Sequence, residues 1–170
     1  MTTIRYAHGD DVPALAEIGM RAWEQAVTGV ADLNALRDNA RLAFLQFLSA
    51  NWVKVIVAED GGRIAGWAAR EKLDEEITDL WVDPSMQRRG IGTALLAAVE
   101  DEMRGADHEA ATLQTHARNA AALAFFRKRD YAVSWLSVAY SPKLDRNVES
   151  VGLRRQLVED TPIGYGPGGF

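Results

Sequence analysis

The residues best suited to chemistry lie in one run, Asp79-Leu80-Trp81-Val82-Asp83-Pro84-Ser85-Met86-Gln87-Arg88-Arg89-Gly90-Ile91-Gly92-Thr93. It reads as a strand stopped by a proline, a short loop, and a helix that opens on glycines. The first N–H groups of a helix have no partner within it and lie at the positive end of its dipole. Gly90 and Gly92 remove the side chains that would hold an anion off that backbone, and Arg88 and Arg89 add positive charge. The combination suits a pyrophosphate. A tight loop with solvated arginines is the competing reading, and a short glycine motif alone leaves both open. Two other phosphate loops do not fit. The Lys-Ser/Thr ending of a Walker loop is missing, and Leu95 stands where a dinucleotide fingerprint needs its third glycine.

Other candidates for chemistry are few. The chain has no cysteine, which closes disulfides, thiolate metal sites and a thiol nucleophile. His8, His108 and His116 have no metal-ligand spacing, so no metal is expected. His116 follows a short apolar strand and has an intrinsic pKa suited to proton transfer, against the plainer reading of a solvated loop-end histidine. Simple alternation puts Asp79 on one strand face with Ile77 and Trp81. Asn119 opens a helical run as a cap. The 19 basic and 24 acidic residues give a net charge of −5, the wrong sign for a general nucleic-acid binder.

The elements that must position these residues follow from periodicity. Apolar side chains at helical spacing mark residues 10–28 and 33–49, the second capped by Asp32. Val53, Val55 and Val57 then alternate, Asp60-Gly61-Gly62 makes a tight turn, and Ile64 to Arg70 returns as the second strand of a hairpin. Strands are expected at Glu76–Val82, Ala111–Thr115, Tyr131–Tyr140 and Val151–Leu157, with helices over 90–104 and from Asn119 to about Arg129. Gly105 is expected as the left-handed residue that ends the first of these helices. Length of 170 residues, 48% hydrophobic and 25% charged, predicts one globular α+β domain. No signal peptide or long apolar span is visible at Met1-Thr2-Thr3-Ile4-Arg5, so a cytoplasmic protein without membrane contact is expected. Thr161–Phe170, with its four glycines and two prolines, reads as a tail.

Here the chain resembles the GCN5-related N-acetyltransferases. Gln87-Arg88-Arg89-Gly90-Ile91-Gly92 looks like that family's Gln/Arg-x-x-Gly-x-Gly/Ala loop, and Asn119-Ala120-Ala121-Ala122-Leu123-Ala124-Phe125-Phe126-Arg127-Lys128 like its Asn-x-x-Ala-x-x-Phe-Tyr-x-Lys helix. The spacing between the two also fits. The resemblance implies an acetyltransferase-like domain over 1–158 with a Gly/Pro-rich tail over 159–170. It implies a single mixed, mostly antiparallel sheet of about six or seven strands flanked by about four helices, an α/β (α+β) fold. Within it two splayed parallel strands, Glu76–Val82 and Ala111–Thr115, form an acyl-CoA cleft.

The same resemblance implies roles residue by residue. Acetyl-CoA is the acyl donor, with backbone groups of Leu80, Trp81 and Val82 holding its pantetheine like an added strand and the Val82 N–H polarising the thioester carbonyl. Backbone N–H groups from Gln87 through Arg88, Arg89, Gly90, Ile91 and Gly92 to Thr93 take the pyrophosphate. Asn119 bonds the pantetheine, and Phe126 packs beside the thiol. The acceptor is a primary amine on a small molecule, peptide or protein, attacking directly. Glu76 is the implied general base, with Asp79 and His116 as runners-up. Three departures stand out. Phe126 replaces the tyrosine that serves as acid in relatives, which raises the alternative of a catalytically silent acyl-CoA-binding module. Gln114 stands where ribosomal-protein acetyltransferases carry a glutamate, and Asp130 replaces the usual glycine before Tyr131. Asp tolerates left-handed geometry. Residues around Trp23 to Asp32 and the loop Ser141–Asn147 are expected on the acceptor side, with Trp23 and Glu24 lining an amine pocket or Trp23 simply packing in the core, and relatives suggest a possible homodimer.

Overall fold

Two apolar faces organise the chain. The computed structural model describes residues 1–29 and 32–158, so the expected tail lies outside the described residues. Seven strands and four α-helices follow in order: β1 (Thr2–Tyr6), α1 (Val12–Ala26), α2 (Leu33–Asn51), β2 (Ile56–Asp60), β3 (Arg63–Ala69), β4 (Asp79–Val82), α3 (Ile91–Gly105), β5 (Ala110–His116), α4 (Ala120–Arg127), β6 (Ala132–Ser141) and β7 (Arg146–Gln156). Helix α2 buries Ala40, Phe44 and Leu48 at i, i+4 and i+8 and is capped by Asp32, which accepts from the Asn34 N–H at 3.1 Å. With α1 it covers one face, packing Leu15, Ile18 and Trp23 against Val57, Trp67 and Trp81. Helix α3 covers the other, where Ile91, Leu95, Val99 and Met103 pack with Ala58, Leu113, Phe126 and Leu153. No helix among the described residues is long and apolar enough to cross a membrane.

Strands β1-β2-β3-β4 pair antiparallel in that order, and β5-β7-β6 form a second antiparallel ladder. The ladders meet at a lone parallel bridge between Glu76 and Thr112. There the Ile77 N–H donates to the Thr112 carbonyl and the Thr112 N–H to the Glu75 carbonyl, each at 2.8 Å. The expected splayed pair is therefore present, and the splay divides the expected single sheet in two. Beyond Ile77, β4 runs on as the free edge of its ladder.

Four local readings are corrected. Val53 belongs to a 3-10 turn, Trp52–Lys54, and is exposed, because α2 tightens at its end before β2 begins at Ile56. Gly105 stays inside α3, and Asp107 is the left-handed residue, at φ 63°. The His108 N–H reaches the Met103 carbonyl and the Asp107 N–H the Arg104 carbonyl, a Schellman ending. α4 closes alike on Asp130, φ 69°, with Tyr131 N–H to the Phe126 carbonyl and Asp130 N–H to the Arg127 carbonyl. Asp130 thus adopts the left-handed geometry expected of it. Asp79 and Ile77 do not share a face. The Thr78 N–H bonds the Ala69 carbonyl at 3.0 Å while Asp79 is the register partner of Ala69, so two residues oppose one and alternation slips. Ile77 consequently packs on the α3 side and Trp81 on the α1–α2 side. The strand expected at Tyr131 starts at Ala132, leaving the Tyr131 side chain buried with its hydroxyl on Glu100, 2.9 Å.

Candidate active site

The fork between β4 and β5 opens into three adjoining hollows. A central cleft of about 490 Å³ is lined by Leu80, Trp81 and Val82, by Gln25 and Ala26 of α1, and by Asn119 and Phe126. A second hollow of about 680 Å³ shares Val82, Gln87, Gly92 and Phe125 with it and runs on over Arg88, Gly90, Thr93, Lys128 and Arg129. A third, of about 240 Å³, shares Ala26, Trp81 and Asn119 with the central cleft and extends past His116 to the β6–β7 connection at Ser141–Leu144.

The edge of β4 explains the central cleft. The Asp83 N–H donates to the Ala65 carbonyl of β3 at 2.8 Å. Backbone direction alternates along a strand, so the Val82 N–H points the other way, toward the cleft. Asp83 itself is buried; burial pushes its carboxyl up, but Arg21 at 2.7 Å and the Ser85 N–H and hydroxyl outweigh this and leave its pKa lowered. That pair ties α1 to the loop entering α3. A further tie joins Gln87 Nε2 to Gln25 Oε1 at 2.7 Å.

At the start of α3 the chain turns through two left-handed residues, Arg88 (φ 65°) and Gly90 (φ 76°). The Ala94 N–H makes a helical bond to the Gly90 carbonyl at 3.0 Å, so the N–H groups of Ile91, Gly92 and Thr93 precede it and lack helical partners. A Cβ on Gly92 would lie 3.2 Å from the Phe125 ring and 3.6 Å from Val82. The glycine therefore keeps the junction of the central and second hollows open. Arg88 lines the second hollow. Arg89 turns away to Asp60 at 3.2 Å and lines none of the three hollows. Arg129, not singled out in the sequence, lies 3.7 Å over the Phe125 ring, donates to the Phe125 carbonyl at 2.7 Å and to Thr93 Oγ1, and has its Nε buried without a partner. The signal that would find it is a cation four residues beyond an aromatic.

Asn119 caps α4 through Oδ1, which accepts from the Ala122 N–H at 3.2 Å, and its Nδ2 donates to Thr115 Oγ1 at 3.2 Å. One amide hydrogen remains for a ligand. Phe126 is buried, its ring 5.3 Å from Tyr131.

The three proton-transfer candidates separate. Glu76 stands at the closed end of the fork, its N–H bound to Asp74, and its side chain lines none of the three hollows. Asp79 is buried beneath Trp81, whose Nε1 donates to it at 2.9 Å; burial raises its pKa, against smaller opposing pulls from Lys143 and its hydrogen bonds. His116 lines the third hollow. Its Nε2 meets the Ala26 carbonyl at 2.8 Å, which makes Nε2 the protonated nitrogen and leaves Nδ1 bare, buried and unpartnered. Burial lowers its pKa, with smaller contributions from the Ala26 carbonyl (raising) and Arg118 (lowering). Trp23 is buried in the α1–α2 core and touches the third hollow from there, while Glu24 is held by Arg37 at 2.9 Å and does not line it.

Residues 15–131 match the sequence model of the acetyltransferase (GNAT) family. The chain belongs to the GNAT family. The [ribosomal protein bS18]-alanine N-acetyltransferase of Escherichia coli K12 is 29% identical over 158 residues, spanning 89% of this chain and 95% of that one. The mycothiol acetyltransferase of Clavibacter sepedonicus is 35% identical over 89 residues, 51% of this chain. The chain spans only 29% of the length of that relative. Among solved structures, the GNAT fold is shared with the PaiA N-acetyltransferase of Thermoplasma acidophilum in complex with coenzyme A (TM-score 0.74, 16% identity, 92% of this chain and 99% of that one). The E. coli ribosomal-protein-S18-alanine N-acetyltransferase aligns at TM-score 0.70, 22% identity, over 98% of this chain and 100% of that one.

Proposed function

We propose that the protein transfers an acetyl group from acetyl-CoA directly to a primary amine. The observation that carries this is the continuity of the three hollows around the free edge of β4, with an anion-ready helix start at one end and a hollow lined by Trp23, Trp81 and His116 at the other. The residues fit the donor. Gly92 leaves room that a Cβ would fill, and the N–H groups at the start of α3 offer a cradle for pyrophosphate. When bound, acetyl-CoA supplies the activated thioester. Leu80, Trp81 and Val82 would hold its pantetheine arm along the strand edge, Asn119 would add its remaining amide hydrogen, and the Val82 N–H, which faces the cleft, would polarise the thioester carbonyl. Phe126, which lines the central cleft, would pack beside the sulfur and has no proton to give it. CoA thiolate leaves without that help, since a thiol pKa is only about 8.5.

The acceptor enters through the third hollow. An alkylammonium with pKa about 10.4 is almost wholly charged near neutrality, so a proton acceptor raises the reactive fraction. We assign this to Glu76 acting through water, with His116 the competing group because its ring lines the hollow. Thiol release from acetyl-CoA with an amine panel tests the reading, with calorimetry for CoA binding. Turnover abolished in Gly92→Glu supports it and excludes a silent acyl-CoA-binding module. Absence of acetyl-CoA binding at millimolar concentration overturns it.

A further inference from the structure

The third hollow carries a charge that amine chemistry alone does not call for. Its lining contains no carboxylate, and its one formally charged side chain is Lys143. The Lys143 ammonium lies 4.7 Å from the Phe44 ring centroid and 5.8 Å from that of Trp81. Among the described residues no carboxylate comes within ion-pair distance of it. Asp79 is close enough to feel its field but is buried under Trp81. The ammonium is thus half-buried against two aromatic faces with no counter-ion in contact, an arrangement that favours an incoming anion.

Its position is fixed in advance. Asn39 Nδ2 on α2 donates to the Pro142 carbonyl at 2.9 Å and the Lys143 carbonyl at 3.1 Å, and Leu144 is buried in the α1–α2 core. Just outside, a small hollow shares His116 and Val148 with the third one and carries Arg118 and Arg146, neither in an ion pair among the described residues, against the single carboxylate Glu149. A chain of net charge −5 therefore places Lys143, Arg118 and Arg146 against Glu149 and the Tyr140-bound Asp145 where the acceptor enters.

We propose that the acceptor is a small amino-carboxylate, with its amine directed to the β4–β5 fork and its carboxylate held by Lys143. This rests on the acetyltransferase reading above. The aromatic walls, Trp23, Trp81 and Tyr140, take the apolar part of the molecule. Lys143 also opposes a second positive charge in the hollow, which disfavours diamines and helps keep the reacting amine neutral.

The test compares kcat/KM for an aromatic amino acid, its carboxamide, the corresponding decarboxylated arylalkylamine, and an aliphatic diamine, in the parent protein and in Lys143→Met and Lys143→Arg. A charge-assisted contact predicts a preference for the carboxylate of about tenfold or more, expressed mainly in KM. Lys143→Met brings carboxylate and carboxamide within about twofold, and Lys143→Arg restores the preference. A peptide bearing an acidic first or second residue that outperforms the amino acid overturns the small-molecule assignment. Equal rates for carboxylate and carboxamide, or a ratio unchanged in Lys143→Met, overturn the carboxylate site while leaving the acetyltransferase intact. Absence of thiol release with every amine brings down the acetyltransferase reading, and this one with it.

Discussion

The Ile77 N–H donates to the Thr112 carbonyl at 2.8 Å, and the two strands part immediately beyond it. This single contact sets where the cleft begins, and it puts Glu76 at the closed end. If Glu76 takes the amine's proton through water, the need for it falls as pH rises, because more of the amine is already neutral. Glu76→Gln should then lose more turnover at pH 6.5 than at pH 9, with CoA affinity unchanged by calorimetry. Equal loss at both pH values removes Glu76 from the reaction and turns attention to His116.

Gly92 stands at the junction of the central and second hollows. Gly92→Ala places a methyl 3.2 Å from the Phe125 ring, and that ring is clamped between Tyr131-backed Phe126 and the Arg129 guanidinium. The ring can yield only by disturbing Arg129. The expected result is CoA binding weakened about tenfold by calorimetry, with thermal stability little changed. Wild-type affinity in Gly92→Ala would show that the ring gives way freely.

The helix start after Gly90 and the cap at Asn119 were legible in the sequence because their demands are local. A helix that opens after Gly90 and a cap from Asn119 to the Ala122 N–H each depend on residues within one turn, whereas the room at Gly92 is set by Phe125 and Val82. What escaped depends on distant partners. The slip at Thr78 and Asp79 is decided by register against Ala69, and it breaks the alternation that placed Ile77 with Trp81. Arg89 answers to Asp60 in the β2–β3 hairpin, 29 residues away. Glu24 is taken by Arg37 across the α1–α2 pair. The end of α3 went to Asp107 rather than Gly105 because the Schellman geometry, not residue type alone, sets which position turns left-handed.

Asp79 is buried and its pKa is raised, by burial first. A carboxyl raised in the folded state destabilises the fold as pH climbs from its unfolded value, near 3.8, through its folded value. Asp79→Asn keeps an oxygen to accept from the Trp81 indole and removes that cost. Its melting temperature should exceed the parent's at pH 7 and converge with it near pH 3.5. Turnover should persist, since the Asp79 carboxylate is buried and already held by the Trp81 indole. Loss of turnover with an intact fold would return Asp79 to the list of bases.

Glu100 joins α3 to the second ladder. Its buried carboxylate accepts from the Tyr131 hydroxyl at 2.9 Å and pairs with Arg155 of β7 at 2.8 Å. Removing it strands a phenol and a partly buried guanidinium at once. Glu100→Ala should cost about 3 kcal/mol, a fall of roughly 10 °C in melting temperature. Glu100→Gln should cost less, because the amide oxygen still accepts. Calorimetric melting of the two variants side by side checks the ordering.

His116 ties β5 to the last turn of α1 through the Ala26 carbonyl, and this bond fixes its protonated nitrogen. Burial lowers its pKa below the ordinary 6.5, so the folded state resists taking a proton that the unfolded chain accepts readily. Stability is therefore full above that value and drains away as pH falls below it. His116→Gln retains an N–H for Ala26 and has nothing to protonate. The melting temperature of the parent should drop faster than that of His116→Gln between pH 7 and pH 5. Parallel curves would mean that the His116 environment does not distinguish folded from unfolded protonation. The same variant separates the two proton acceptors: if His116 takes the amine's proton, His116→Gln loses turnover most at low pH while Glu76→Gln does not.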